Sequence, residues 1–167
     1  MITYRKKASL NELLISRHMP PVRKKNMVWL QRRDGFWKCQ KSKACKHGVM
    51  TTSYKLQDGR TRKIQGHITC KNDFVIYVLS CDCGQQYVDI MMNKEKLRVL
   101  QHFRAMKNKD FSYTVAKHVW EEHSGNLKMI KYYGAQHIEK PTRGGAREVK
   151  LRREESKLII EMGTEAL

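Results

Sequence analysis

The stretch FVIYVLSCDCGQQYVDIM, residues 74–91, decides the fold predicted for this chain. Its first six residues, 74–79, form an unbroken run of apolar, β-branched and aromatic side chains, which is typical of a strand covered on both faces. Asp82-Cys83-Gly84 supplies turn-forming residues, and residues 86–91 return to a strand-forming composition. The stretch therefore predicts two neighbouring strands joined by a tight turn.

Toward the C-terminus, the hydrophobic pattern changes from strands to helices. The predicted elements are a helix at residues 94–106, a helix at residues 112–123, a strand at residues 127–133 and a helix at residues 147–162. Asn93 is placed to cap the first helix, and Gly125 closes the second. We expect an α+β fold over residues 73–167, in which a mainly antiparallel three-stranded sheet is flanked by helices.

The N-terminal part divides into two basic segments. Residues 1–35 form an extension with little apolar periodicity, and a basic run stands at residues 23–25. Such a run is a solvated tail, a phosphate contact or a nuclear address, and the pattern leaves these alternatives open. Residues 36–72 form a Cys/His-containing segment with a predicted β-hairpin around Asp58-Gly59, a pair that suits a tight turn.

Charge is the strongest compositional signal. The chain has 34 Lys and Arg residues against 16 Asp and Glu, which gives a formal net charge of +18 over 167 residues. Such a surplus favours a nucleic-acid partner, because Lys and Arg gain affinity by releasing counterions from phosphates. The alternative is a solvated basic surface or a ribosome-like protein. We expect a nucleic acid as the partner, and composition leaves both DNA and RNA open. The candidate contacts are Arg23, Lys24, Lys25, Arg143 and Arg147.

Apolar runs and the cysteine count indicate where in the cell the protein resides. No apolar run approaches the ~20 residues of a membrane-spanning helix, and the N-terminus lacks the apolar block of a secretory signal. We therefore expect no membrane partner and an intracellular, nuclear location. Five cysteines is an odd number, so metal ligation or burial is favoured over a disulfide framework.

Two strands that each carry a tyrosine precede a helix with an arginine and a late helix with a glutamate. The motifs, in order, are Ile2-Thr3-Tyr4-Arg5-Lys6, Phe36-Trp37-Lys38-Cys39, His67-Ile68-Thr69-Cys70, Val75-Ile76-Tyr77-Val78-Leu79-Ser80-Cys81-Asp82-Cys83-Gly84, Gln86-Tyr87-Val88, Arg98 with His102, Val115-Ala116-Lys117-His118, Arg143-Gly144-Gly145-Ala146-Arg147-Glu148 and Glu155. This series resembles the GIY-YIG endonucleases, in particular the C-terminal region of Penelope-like retroelement proteins, where a zinc-finger-like linker precedes the nuclease domain. The resemblance covers nearly the whole chain. It implies a retroelement-derived, metal-dependent endonuclease that hydrolyses DNA phosphodiester bonds.

The resemblance places Tyr77, Tyr87, Arg98 and Glu155 around the scissile phosphate, with Glu155 as the ligand of Mg²⁺ or Mn²⁺ and Tyr77 beside the attacking water. His102 joins this catalytic set because it lies one helical turn after Arg98 on the same face, where it can orient water or donate to phosphate. Each residue also has a plainer interpretation. The tyrosines can be core aromatics, and His102 can be a structural or exposed histidine.

Glu155 stands out within the last predicted helix. Its neighbours at helical spacing are apolar, namely Leu151, Leu158, Ile159 and Met162. An inward carboxylate is costly unless a cation or hydrogen bonds compensate it. A hard divalent ion held by one carboxylate and substrate oxygens meets that need. The alternative is an inward glutamate paired with a lysine or arginine.

Asp89 is the main departure from the family pattern, which has glycine after the second tyrosine motif. By strand alternation its carboxylate faces the same side as Tyr87, where it adds bulk and repels a substrate phosphate. We therefore expect weak or absent cleavage with retained DNA binding. The alternative function is a catalytically inactive, zinc-stabilised nucleic-acid-binding module.

Cys39, Cys45, His67 and Cys70 form two candidate pairs of zinc ligands. The His-x-x-Cys pair has a spacing typical of zinc sites, whereas the two other cysteines are further apart than usual. His47 is an alternative ligand, and buried reduced thiols are the alternative to a zinc site. We interpret Cys81 and Cys83, which bracket a turn, as packing residues and not as ligands.

Overall fold

The computed structural model describes residues 33–92, 98–140 and 146–164. The basic run at residues 23–25, the predicted cap Asn93 and the candidate contact Arg143 lie outside the described residues. Within the described part, no helix has the length and apolar composition needed to cross a bilayer. The fold is α+β, as predicted.

Four short strands precede the central sheet. Strand β1 (Gly35–Trp37) pairs in parallel with β4 (His67–Thr69), and β2 (Ser53–Lys55) pairs antiparallel with β3 (Thr61–Lys63). The turn between β2 and β3 contains Gly59 at φ +80°, a conformation that glycine adopts without steric cost. The hairpin predicted in this segment is therefore confirmed.

The central sheet has three antiparallel strands. Its middle strand is β5 (Val75–Cys81), with β6 (Gln86–Met91) on one side and β7 (Ile130–His137) on the other. β5 is buried along most of its length, as its continuous apolar run predicts. β7 begins later than predicted because Leu127–Met129 form a 3₁₀ turn. The Asn126 side chain caps this turn by accepting a hydrogen bond from the Lys128 amide.

Three helices surround this sheet: α1 (Arg98–Asn108), α2 (Thr114–His123) and α3 (Arg147–Met162). All three overlap the predicted helices. α2 begins two residues later than predicted because the Ser112 hydroxyl donates to the Asp110 carboxylate at 2.6 Å and keeps this segment in a turn.

The cysteine-bearing segment and the central sheet share one hydrophobic core. The Phe36 and Tyr132 rings meet edge to face at 5.3 Å between centroids, and the Val49 amide donates to the Tyr132 carbonyl at 2.9 Å. Gly134 on β7 permits this contact, since an added Cβ would lie 2.7 Å from a methyl carbon of Ile68. The boundary between residues 36–72 and 73–167 stays a prediction from sequence.

Gly134→Ala should destabilise the protein, because the new methyl group would overlap Ile68, Phe36 and Val75 in a closely packed core. Overpacking of this kind costs about 1–3 kcal/mol. Thermal or denaturant unfolding measures the loss. Gly48→Ala is the matched control, because its Cβ would approach ring carbons no closer than 3.3 Å, and the loss should be smaller. Equal stability of Gly134→Ala and the native chain would contradict this account of the packing.

Candidate functional site

One face of the central sheet collects the polar residues of the hairpin. Tyr77 on β5 lies directly opposite Asp89 on β6, and Leu79 lies opposite Tyr87. Opposite residues of an antiparallel pair point to the same side, and so do residues two apart in one strand. The register therefore places both tyrosines and Asp89 on one face.

The Asp89 carboxylate is buried, with 4% of the residue exposed, and it accepts hydrogen bonds from three elements of the fold. Its Oδ2 accepts from the Tyr77 hydroxyl at 2.9 Å, from Arg98 Nε at 2.6 Å and from His102 Nε2 at 3.0 Å. Its Oδ1 accepts from the Ile90 amide at 2.7 Å. The sheet, the first helix and the backbone thus converge on one negative charge.

This convergence determines the protonation states in the site. Burial alone would raise the pKa of Asp89, but the hydrogen bonds from His102 and Arg98 hold that pKa below its usual value. Burial, and then the neighbouring Asp89, raise the pKa of Tyr77 well above that of a free phenol. Asp89 therefore stabilises the fold above an unfolded-state pKa of about 3.9, and this contribution is lost as pH falls through the lower folded pKa.

Glu155 on α3 lines the same cavity as Asp89 and Arg98, with a volume of about 430 Å³. The residue is partly buried, and within residues 33–92, 98–140 and 146–164 it makes no hydrogen bond or ion pair. Burial, followed by repulsion from Asp89, raises the pKa of Glu155. The predicted inward position of this glutamate agrees with its place beside buried Leu151 and Leu158.

Tyr87 lies at the other end of this face. The residue is buried, and its ring centroid is 5.8 Å from that of His118 on α2. Of the five predicted catalytic residues, Tyr77, Arg98 and His102 contact Asp89, and Glu155 shares its cavity. The structure thus brings four of the five residues to Asp89, and places Tyr87 beside a second polar cluster, described below.

Three cysteines of the first segment form a thiol cluster. The Sγ atoms of Cys39 and Cys45 are 3.4 Å apart, and those of Cys45 and Cys70 are 3.1 Å apart. Burial alone would raise the pKa of Cys39, but hydrogen bonds from Cys70 and from the backbone lower it to about 7. Burial and the other two thiols raise the pKa of Cys70 to about 12. Three of the four predicted zinc ligands therefore lie together.

The two candidate histidines of this segment lie outside the thiol cluster. His67 Nδ1 is 3.1 Å from the Arg33 carbonyl oxygen, and the ring stacks on Trp37 with 6.3 Å between centroids. The His47 ring stacks on Phe103 at 3.7 Å. The predicted set with His67 is thus corrected to three thiols among the described residues. The aromatic stacking partners, which the spacing of the ligands does not reveal, explain the difference.

A second cluster, of two thiols and two imidazoles, is formed by Cys81, Cys83, His118 and His123. Cys81 Sγ is 3.0 Å from His123 Nε2, and Cys83 Sγ is 3.4 Å from His118 Nε2. The interpretation of the two cysteines as packing residues missed this arrangement. The signal lay in the His-x₄-His spacing on α2, which falls within the range typical of zinc ligands.

Both clusters can hold a metal ion such as zinc. Each offers thiols, with or without imidazoles, whose ligand atoms lie within 4.8 Å of one another. Four-coordinate zinc with a Zn–S distance of about 2.3 Å sets neighbouring sulfurs ~3.8 Å apart, somewhat more than the 3.1 and 3.4 Å separations in the three-thiol cluster. Burial also lowers the pKa of His118, which favours the neutral imidazole that binds metals.

Four lysines line a separate groove of about 410 Å³ between the cysteine segment and β7. They are Lys38, Lys46, Lys128 and Lys131, and we call this surface the lysine groove. Lys131 forms an ion pair with Asp82 at 2.7 Å, whereas the other three make no ion pair within the part of the chain that the structure describes. The groove offers positive charge for phosphate groups.

Arg147, a candidate nucleic-acid contact, has intramolecular partners instead. Its Nε donates to the Ile138 carbonyl at 2.7 Å, and its guanidinium lies 4.0 Å from the centroid of the Phe74 ring. The side chain is 16% exposed. The structure therefore gives Arg147 a role in anchoring the start of α3, and its predicted contact with nucleic acid finds no support here.

Comparison with known proteins gives no match: no family model, no curated protein and no solved structure is similar to this chain. What the fold and the site define by themselves is an α+β protein with two clusters suited to metal binding and a buried carboxylate network. The GIY-YIG resemblance accordingly stays a prediction.

Zinc content tests both clusters. We expect two zinc ions per chain in protein purified under reducing conditions, and one in the double variant Cys83→Ser/His118→Ala, measured by elemental mass spectrometry. Removal of zinc by a chelator should lower the melting temperature, because metal binding is linked to folding. His67→Ala is the control and should keep both ions. A native chain without stoichiometric zinc would refute the assignment, and loss of one ion in His67→Ala alone would restore His67 as a ligand.

Proposed function

We propose that this protein binds DNA and carries a metal-dependent, GIY-YIG-type endonuclease site derived from a retroelement. The observation that carries the proposal is the convergence of Tyr77, Arg98 and His102 on one anionic group, with Glu155 in the same cavity. A guanidinium, an imidazole and a phenol aimed at one anion are the donors that suit a phosphodiester.

The proposed roles follow from the chemistry of each side chain. Glu155 would hold Mg²⁺ or Mn²⁺, since its carboxylate is partly buried and its raised pKa marks an ionised form in need of a cation. Such an ion polarises a phosphate and stabilises the leaving oxygen. Arg98 and His102 would hold the non-bridging phosphate oxygens. Tyr77 would orient the water as a hydrogen-bond donor, because its pKa is too high for a general base.

Binding of DNA as a whole is supported by charge. The net charge of +18 favours a polyanionic partner, and the lysine groove offers three lysines without an ion pair among the described residues. The proposal includes a nuclear location, where DNA is accessible. RNA is the competing partner, which the same binding assays separate.

A second candidate function is binding without cleavage, and Asp89 is the observation that favours it. The donors that would hold a phosphate are already engaged by this carboxylate. An aspartate and a phosphate about 4 Å apart repel by roughly 4 kcal/mol at an effective dielectric near 20, which is about a thousandfold in rate. Mg²⁺-dependent nicking of supercoiled plasmid by the native chain, abolished in Glu155→Gln, would decide for the enzyme.

Replacing Lys38, Lys46 and Lys128 with alanine should weaken DNA binding and its dependence on salt. The slope of log K against log salt concentration falls by about 0.9 for each phosphate contact that is lost. Fluorescence anisotropy over a salt series, with duplex DNA and RNA of equal length, measures the slope. The matched control replaces the exposed residues Lys55, Lys63 and Lys150, and should change the slope little. Equal losses in the two triple variants would mean that charge alone, not the groove, binds the nucleic acid.

Divalent ions should stabilise the native chain through Glu155. We expect Mg²⁺ or Mn²⁺ to raise the melting temperature. At a hundredfold excess of the ion over its Kd, the free energy of unfolding should increase by about 2.7 kcal/mol. Because burial raises the folded pKa of Glu155, its ionisation costs stability above an unfolded pKa of about 4.3, and the effect of the ion should fade as pH falls through the raised folded pKa. Glu155→Gln should lose the response, whereas Glu154→Gln, one residue away and paired with Lys157, should keep it. A response that survives in Glu155→Gln would place the ion elsewhere.

A further inference from the structure

The hydrogen bonds to Asp89 are distributed unevenly between its two oxygens. Oδ2 accepts from three side chains, those of Tyr77, Arg98 and His102, whereas Oδ1 accepts from the adjacent Ile90 amide. An arginine that serves only to neutralise a carboxylate commonly binds both oxygens with two parallel bonds. Here three donors, one on β5 and two on α1, point at a single oxygen. Such an arrangement is typical of a site that binds an oxyanion.

We propose that Asp89 is an internal ligand of the phosphate site, so that its Oδ2 occupies the position of a substrate phosphate oxygen and keeps the site closed. The inference rests on the proposed function and specifies its regulation. DNA would bind through the lysine groove, while the reacting phosphate is excluded from the site.

Asp89 is well placed to exclude a competing anion. Its carboxylate is tethered to the middle of β6, opposite Tyr77, so that it competes with substrate as an intramolecular group. All three donors are within 3.0 Å of Oδ2, so a phosphate oxygen that is to accept from all three together must take the position where Oδ2 now lies. A phosphate that entered this cavity would also be repelled by the carboxylate of the half-buried Glu155.

The inference concerns an anion site and therefore has a test that needs no catalysis. In Asp89→Gly, inorganic phosphate should bind in the vacated position and raise the melting temperature, compared with chloride at equal ionic strength. The native chain should show no such rise. The double variant Asp89→Gly/Arg98→Ala should lose the response, because the guanidinium that holds the anion is gone.

Asp89→Ala is the second variant, in case glycine weakens β6 itself. If either variant folds cooperatively and shows no phosphate-specific stabilisation, the inference is overturned. Failure of both variants to fold would make Asp89 a residue of the folding core and would equally overturn it. A phosphate response of the native chain equal to that of the variants would have the same consequence.

Cleavage supplies a second readout that separates this inference from the proposed function. With Mg²⁺ or Mn²⁺, Asp89→Gly should nick supercoiled plasmid faster than the native chain by a factor on the order of 10²–10³, the usual worth of an oxyanion interaction. Asp89→Gly/Glu155→Gln should not nick. If Asp89→Gly binds phosphate but does not nick, the internal ligand is supported and the endonuclease proposal fails. If the native chain does not bind DNA, the proposed function fails while the phosphate result still decides the role of Asp89.

Discussion

The buried charge of Asp89 is the constraint on which the rest of the site depends. An isolated carboxylate in the interior is very costly, and only hydrogen-bonded, oppositely charged partners make it tolerable. Here the partners come from β5, from α1 and from the backbone of β6. Because Arg98 and His102 must both reach Oδ2, the charge determines how α1 sits against the hairpin. Asp89 thus organises the geometry of the candidate site.

The two thiol-bearing clusters impose the second constraint, on segments with little regular structure of their own. Strands of three residues bury few apolar side chains, and short strand pairs are marginally stable in isolation. The three-thiol cluster ties Cys39 and Cys45 to Cys70, across the whole segment between β1 and β5. The other cluster ties the β5–β6 turn to α2. Metal at both sites would hold these segments against the central sheet, where Phe36 and Tyr132 already pack together.

Elements with a strong local pattern were predictable from sequence, and features that depend on long-range docking were not. The apolar run of β5 and the helical stripe of α3 specify their structure within a few residues. Strand alternation also predicted that Asp89 would face the same side as Tyr87. That Arg98 and His102 would meet it depends on how α1 docks, which no local pattern encodes. Likewise Cys81 and His123 stand 42 residues apart in sequence, so their contact is visible only once α2 is folded onto the sheet.

Under the proposed function, binding and catalysis are separable because they draw on different residues. The lysine groove is lined by the cysteine segment, the 3₁₀ turn and β7, whereas the Asp89 cavity is lined by β6, α1 and α3. Affinity for a polyanion depends on the number of cations near the phosphates and is tolerant of their geometry. Hydrolysis depends on donors placed to within a fraction of an ångström of one oxygen. Under the proposed function, a single carboxylate at this position would therefore remove the second property and leave the first, since one negative charge hardly changes a surplus of +18.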